Sequence, residues 1–520
     1  MDPFYWLAFA AALCVAAALQ WRTRASVVGG GHFDADFRRF KNNYLVVYAL
    51  MMAGDWLQGP YVYALYQTYG YSQGTIGRLF IAGFGSSMVF GTFAGALADR
   101  HGRKRAALAY VLLYSTACAT KHIPDVRVLA LGRLLCGIAT SLLYSAFEAW
   151  VVSEHASRGF PAASLSTVFS QAALLGNGVM AILSGLVAHA LVEGAGLGPV
   201  APFDAAAAVL LVGGAIVAAT WRENRGGDAV ARAQTDKEAG RRVDAPTGGG
   251  AVARIHASDA SSAAATAAVG TPPAPAPHPR TAVKGLLAAA RLVASEPRVA
   301  LLGAMQSLFE AAMYTFVFLW TPALSPSGER VPHGMVFACF MASSAAGSAL
   351  AGLALAESSG RSRALARLLR PERYMQAVFT VGALCLGVPT LFHGRSVAAS
   401  TVDEAGRLTF AGRAQVVAFC LFEACVGAFW PSIATQRASV LPDDLRATVT
   451  NLFRVPLNAF VCLALANIDA LSLPRAFGMC STFLIGAAVC QRLLASIAEH
   501  DELAGTHAFE GPAEKDDLAA

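Results

Sequence analysis

The sequence predicts an all-α polytopic membrane protein, built as two six-helix halves with one extra helix at the N-terminus. Three observations lead there. Hydrophobic residues make up 55% of the 520 positions and charged residues only 14%, where soluble domains carry about a quarter charged. Apolar stretches of roughly 17–25 residues, long enough to cross ~30 Å of hydrocarbon as helices, recur along nearly the whole chain. One polar stretch rich in Ala, Gly, Pro and Arg divides these segments into two sets of six. In lipid a lone spanning segment satisfies its backbone only as a helix, so the fold class follows, and a soluble enzyme is argued against.

The apolar segments lie near 3–20, 44–66, 76–98, 104–120, 127–152, 163–190, 200–221, 298–322, 333–356, 374–392, 412–435, 447–468 and 476–496. The first lacks a basic leader region and runs into Trp21-Arg22-Thr23-Arg24. It therefore reads as a retained helix (domain 1–24) with its N-terminus outside, or, being at the short end of what spans, as an interfacial helix, and not as a cleaved signal peptide. The N-terminal half spans 43–221 and the C-terminal half 298–496. Basic residues alternate between loops, as the positive-inside rule describes. Arg100, Arg103, Lys104 and Arg105, the central linker, and Arg361, Arg363, Arg367 and Arg370 mark the cytoplasmic side, whereas the 67–73 loop has no Lys or Arg. Arg395, Arg407 and Arg413 weaken the contrast.

The linker, 222–297, includes the Pro-rich run Thr271–Pro279. It cannot bury enough apolar surface to fold alone and is expected to be cytoplasmic and disordered, apart from a short amphipathic stretch near Ala282–Ser295. The 497–520 tail is expected to be solvated. The 10 cysteines, for example Cys118, Cys136, Cys420 and Cys490, fall in apolar segments without zinc-ligand spacing, and read as small buried hydrophobes. A net charge of +6 alone is compatible with nucleic-acid binding, but its loop distribution points to membrane topology instead.

The most specific local pattern is Gly95-Ala-Leu-Ala-Asp99-Arg-His-Gly102-Arg103-Lys104-Arg105, between the second and third bundle segments. It resembles the signature loop of the major facilitator superfamily, which implies gating roles for Gly95, Asp99, Gly102, Arg103 and Arg105. A degenerate copy, Glu357-Ser-Ser-Gly360-Arg361-Ser-Arg363, keeps the acid-to-Gly-Arg spacing at the equivalent turn of the second half. Glu357, Gly360 and Arg361 are the matching gate positions. Leu131-Gly132-Arg133-Leu-Leu-Cys-Gly137 resembles the arginine-bearing fourth helix of the same superfamily. Asp55, Glu148, Glu310 and Glu423 fall in bundle segments one, four, seven and ten, the first helices of the four three-helix repeats of this fold. Ionisable groups inside a membrane are costly and mark functional sites; each acid can alternatively serve helix packing.

The runs Asp55–Tyr61, Ser145–Trp150, Gly198–Phe203, Phe316–Pro322 and Phe453–Leu457, together with the extra helix, are similar to the molybdate-anion transporter branch of that superfamily. This resemblance implies uptake of the molybdate oxyanion by alternating access. A dianion needs donors, and Arg133 and Arg454 offer one guanidinium fork from each half. Gln58, Asn177, Gln306 and Asn458 are further polar candidates. An inside-negative potential opposes entry by ~2.3 kcal/mol per charge per 100 mV, about 4.6 kcal/mol for a dianion. A coupling ion is therefore expected, with proton symport through Asp55, Glu310 and Glu423, and Glu148 as the weakest of the four.

The expected partners are the oxyanion, a coupling proton and the bilayer, in the cell membrane. No cofactor, metal or nucleic acid is expected. No phosphate-binding Gly loop or nucleophile elbow suggests an enzyme. The alternatives are a carrier of another small solute (sulfate, a sugar, a drug) on the same scaffold, or a non-transporting membrane sensor or scaffold.

Overall fold

The computed structural model describes residues 2–27, 34–225, 279–325, 331–357, 369–393, 401–403, 407–442 and 445–509. Its helices are α1 (Pro3–Val27), α2 (Ala35–Trp56), α3 (Val62–Thr68), α4 (Gln73–His101), α5 (Arg103–Ala119), α6 (Val126–Ser157), α7 (Ala162–Ala173), α8 (Ala181–His189) and α9 (Ala201–Thr220). Then follow α10 (Pro279–Ser295), α11 (Pro297–Leu324), α12 (His333–Glu357), α13 (Pro371–His393), α14 (Phe410–Val440), α15 (Arg446–Ala466) and α16 (Leu473–Phe509). Wider π-type turns, Leu174–Met180 and Ala190–Gly194, join α7 to α8 and extend α8.

Every apolar segment read from the sequence forms a helix. Among the described residues ten helices are long and apolar enough to cross a membrane on their own, or eleven with α4, which bends by 55° near Gly91. The remaining two segments have local reasons to differ. The first bundle segment is broken into α2 and α3 around Gly59-Pro60, where Pro removes a backbone donor. The third, α5, has 17 residues and a basic first turn.

Side chains fix where helices start. Asp34, Ser72, Asp125 and Thr409 each accept a backbone N–H at the first turn of α2, α4, α6 and α14. α16 continues past the expected boundary of the tail, since Ala498–Ala504 is rich in the helix formers Ala, Glu and Leu and has no Gly or Pro. The linker from 226 to 278, the tail from 510, and Gly360 and Arg361 lie outside the described residues. Residues 222–225 run against the N-terminal half, and α10, covering the expected amphipathic stretch, packs on α15 and α11.

Helices α2, α4, α5, α6, α7 and α9 pack around Phe40, Tyr44, Tyr110, Phe147 and Trp150. The second half has an aromatic core in which Phe309 stacks on Phe429 at 4.0 Å between ring centroids and Phe316 meets Phe419 at 5.0 Å and Phe422 at 4.9 Å. The halves join along α4–α15 and α8–α12. Both joints lie at one end of the bundle, the end that carries Tyr61, Ser72 and His333. There Phe318 meets Phe80 and Tyr63, each at 5.2 Å between ring centroids. Two glycines let the backbones of α8 and α12 touch: a Cβ on Gly185 would fall 2.8 Å from Ala338 N, and one on Gly334 2.5 Å from His189 N. α1 lies on α12, and its first turn reaches both halves. Trp6 meets the His189 ring at 6.3 Å, while the Asp2 carboxylate accepts Leu408 N–H at 2.9 Å.

Candidate functional site: a cavity between the halves and a gate loop

Tyr144 locates the space between the halves. It sits in the middle of α6, yet is 55% exposed. It lies within electrostatic reach of Asp55 and Tyr48 on α2, and of Tyr314 and Arg454 on the opposite half. At this level phenols from both halves and one guanidinium therefore share one electrostatic environment, with Tyr144 left loosely packed between the halves. Arg454 is exposed on α15 and shares this environment with Glu310 and Arg437.

The second half supplies most of the charge. Glu310 is 3% exposed in α11 and accepts a hydrogen bond from Gln306 Nε2 at 2.7 Å, one turn earlier on the same helix. Asn458 donates to the Arg454 carbonyl at 2.7 Å, which fixes its amide beside the arginine. Gln306 and Glu310 are thus paired on α11 within electrostatic reach of Arg454, whose carbonyl holds Asn458 one turn on along α15. Asp55 faces the cavity from the first half and accepts from the Tyr114 hydroxyl at 2.6 Å. Glu148 has a buried carboxylate oxygen without a hydrogen-bond partner, and lies near Tyr44 and Tyr48.

Other positions are placed elsewhere. Arg133 is roughly three turns, ~16 Å of helix, from Tyr144 on α6, toward the Tyr61 end. There its guanidinium stacks 4.6 Å from the Phe80 centroid, donates to the Leu79 carbonyl at 3.4 Å and fills the space left by Gly83. It does not stand beside Arg454 in this conformation. Gln58 is buried in the break between α2 and α3, its amide donating to the Gly54 carbonyl at 3.2 Å with Cys136 Sγ 3.9 Å from its oxygen. Asn177 is exposed in the wide turn of α7–α8, next to Gly176, which packs on Tyr48. Glu423 is buried in α14 beside Cys420 and Cys425, about 21 Å of helix from Arg437.

The gate loop lies at the other end of the bundle. Asp99 and Arg103 form an i,i+4 ion pair at 2.7 Å. Gly102 has φ +112°, a conformation that disfavours any side chain, and a Cβ there would fall 2.5 Å from the Glu223 carboxylate. Glu223 accepts the N–H groups of Lys104 at 2.9 Å and Arg105 at 3.2 Å, which satisfies two orphan donors of α5. Arg103 N–H donates to the Asn224 carbonyl at 3.0 Å, so the loop is held by Glu223 and Asn224, which follow Trp221 closely. Gly95 lies in the last turns of α4, and Glu357 ends α12.

Sequence reasoning missed Tyr48, Tyr144, Tyr314 and Arg437 in the cavity, and Glu223 at the gate. The tyrosines carried a signal: a phenol within an apolar helix needs a polar partner or water. Glu223 carried none, since it follows the last apolar segment of the N-terminal half and looks like linker. Among the described residues no cluster of His, Cys, Asp and Glu fits a metal ion.

A family model described as sugar transporters with 12 transmembrane segments matches residues 4–245 and 279–419. A molybdate-anion transporter of Takifugu rubripes is 34% identical over 458 residues, 87% of this chain and 84% of that protein. One from Xenopus tropicalis is 32% identical over 471 residues, 89% and 88% of the two chains. Among solved structures, the peptide transporter POT in complex with sulfate superposes with a TM-score of 0.56 at 16% identity, over 92% of this chain and 98% of that one. The nucleoside transporter NupG gives 0.56 at 14% identity, over 91% and 100%. At such identities these two structures establish the fold alone. Fold, family model and relatives agree: the chain is a multi-pass membrane transporter, not an enzyme, and belongs to the molybdate-anion transporter branch of the major facilitator superfamily.

Proposed function

We propose that the protein takes up molybdate by alternating access, coupled to protons. The observation that carries the reading is Arg454, a permanent cation exposed in the space between the halves and facing Tyr144 of the other half. A guanidinium donates two parallel hydrogen bonds to adjacent oxygens of a tetrahedral oxyanion, and the hydroxyls of Tyr144 and Tyr314 supply further donors. The relatives' names support molybdate as that oxyanion.

The Arg103 end faces the cytoplasm in this reading, and the contacts at the Tyr61 end hold the outer side shut, so the cavity opens inward. Glu310 is the countercharge. Ionised, it holds the positive field of Arg454 and Arg437; protonated, it leaves that field to the anion. Proton and oxyanion then bind together, which offsets the ~4.6 kcal/mol that 100 mV imposes on a dianion. Asp55 sits on the path from the outer side with Tyr114 as its hydrogen-bond donor. The loop of Asp99, Gly102, Arg103 and Arg105 biases the inner gate.

The test is initial uptake of isotopic molybdate by cells lacking their own carriers, with sulfate and hexose as competitors. Saturable uptake inhibited by oxyanions supports the reading. Uptake of hexose with indifference to molybdate replaces it with a sugar carrier, the reading that the description of the family model favours.

A further inference from the structure

The Tyr61 end carries a polar cluster that the anion cavity does not use. The Tyr61 hydroxyl donates to the Glu193 carboxylate at 2.6 Å and accepts the Gly334 N–H at 3.2 Å. Tyr61 and Glu193 belong to the N-terminal half and Gly334 to the first turn of α12, in the C-terminal half. This hydroxyl has one proton and two lone pairs, so the two bonds are compatible and oriented: the proton goes to Glu193, leaving a lone pair aimed at Gly334. Gly334 N–H is one of the orphan donors that every helix start leaves unsatisfied, and here its acceptor comes from the opposite half. The negative charge of Glu193, passed through Tyr61, complements the positive end of the α12 dipole.

The surroundings fix this geometry. His189 Nδ1 meets Glu193 Oε2 at 3.1 Å, one turn away on the same segment. The His333 ring packs on Tyr61 at 5.8 Å and on Trp320 at 5.7 Å. Gly185 and Gly334 remove the side chains that would hold the helices apart, and Trp6 of α1 closes over His189. Separation of the halves at this end must break the Tyr61–Gly334 bond, because its partners move with different halves.

We propose that Tyr61 and Glu193 are positioning residues of the transport cycle, forming a latch that caps α12 across the halves and holds the Tyr61 end shut while the Arg454 cavity opens at the other end. The inference rests on the rocking reading of the fold but not on the identity of the solute. Tyr61→Phe removes both bonds while keeping the ring on His333. Glu193→Gln keeps an acceptor for Tyr61 and removes the charge.

The experiment is hydrogen–deuterium exchange on the purified full-length protein in lipid nanodiscs with no solute present. Tyr61→Phe is expected to speed exchange in 333–341 by roughly 2- to 12-fold, the order of one hydrogen bond. Exchange in 99–106 should slow in return, because opening one end closes the other. Glu193→Gln is expected to give the same pattern with a smaller amplitude. Unchanged exchange in 333–341 in a monodisperse Tyr61→Phe protein overturns the latch, as does acceleration there without protection of 99–106, which marks local fraying. If Tyr61→Phe does not fold, Glu193→Gln decides by the same two readings. Since no molybdate is present, a negative result here leaves the solute assignment standing, and a failed uptake assay leaves the latch standing.

Discussion

Trp150 and Trp221 stack with ring centroids 3.7 Å apart and planes 8° from parallel. Trp150 Nε1 donates to the Arg222 carbonyl at 2.8 Å, and Asn224 Nδ2 to the Trp150 carbonyl at 3.2 Å. The stack therefore pins residues 222–224 under α6, and those residues in turn hold the gate loop through Glu223. Trp221→Ala is expected to destabilise the protein by roughly 3–5 kcal/mol, the range for a buried aromatic. Thermal unfolding in detergent measures this, with Trp221→Phe expected to lie between wild type and Ala.

Glu223 is predicted to matter more for turnover than for folding. Glu223→Ala removes the cap of α5, a loss of about 0.5–2 kcal/mol, and frees the loop that Asp99 and Arg103 rigidify. Asp99→Asn, Arg103→Ala and Glu223→Ala should all lower the initial uptake rate at matched surface expression. A normal rate for all three would remove this loop from gating.

The closed end gives an opposite expectation. Gly334→Val places a branched side chain where even a Cβ would lie 2.5 Å from His189 N, so the halves cannot close there. Uptake should be abolished while surface expression is retained, and Gly334→Ala should be milder. Uptake at the wild-type rate in Gly334→Val would show that this contact is not made during the cycle.

α1 is expected to dock through Asp2. Its carboxyl is held below the ordinary carboxylate range, first by the Phe4 N–H and then, against burial, by the Leu408 N–H and Arg413. A depressed folded value means that the contribution to docking is present above the unfolded value near 3.8 and is lost as pH falls through the folded value below it. At neutral pH, Asp2→Asn should loosen α1, seen as faster exchange in peptides covering 4–12. The difference between wild type and Asp2→Asn should vanish at the acidic extreme.

Much of this was legible in the sequence because bilayer length and hydropathy decide membrane helices almost alone. Asp99, Gly102 and Arg103 were legible because a positive φ and an i,i+4 ion pair are local. Arg133 and Arg454 were equally visible as charges within apolar segments, but which neighbours each meets depends on helix rotation and depth. Sequence cannot tell that Arg133 stacks on Phe80 near the closed end while Arg454 faces Tyr144. Tyr61 was noticed only as part of a motif, since its partners Glu193 and Gly334 are set by tertiary packing.

Proton coupling makes its own prediction. Neutralising Asp55, Glu310 or Glu423 singly should flatten the dependence of uptake on external pH for at least one of them. Glu310→Gln is expected to have the largest effect, because it is the buried acid beside Arg454. Three wild-type pH profiles would exclude coupling through these acids and point to another ion.

The central claim, that Arg454 holds the oxyanion, is tested most directly by equilibrium molybdate binding to purified wild type, Arg454→Ala, Arg454→Lys and Arg133→Ala. Loss of a charge-assisted contact of ~1.5–3 kcal/mol should weaken binding by roughly 10- to 150-fold in Arg454→Ala. Arg454→Lys, which keeps the charge without the fork, should fall between, and Arg133→Ala should bind close to wild type. Wild-type affinity in a folded Arg454→Ala protein would contradict the account.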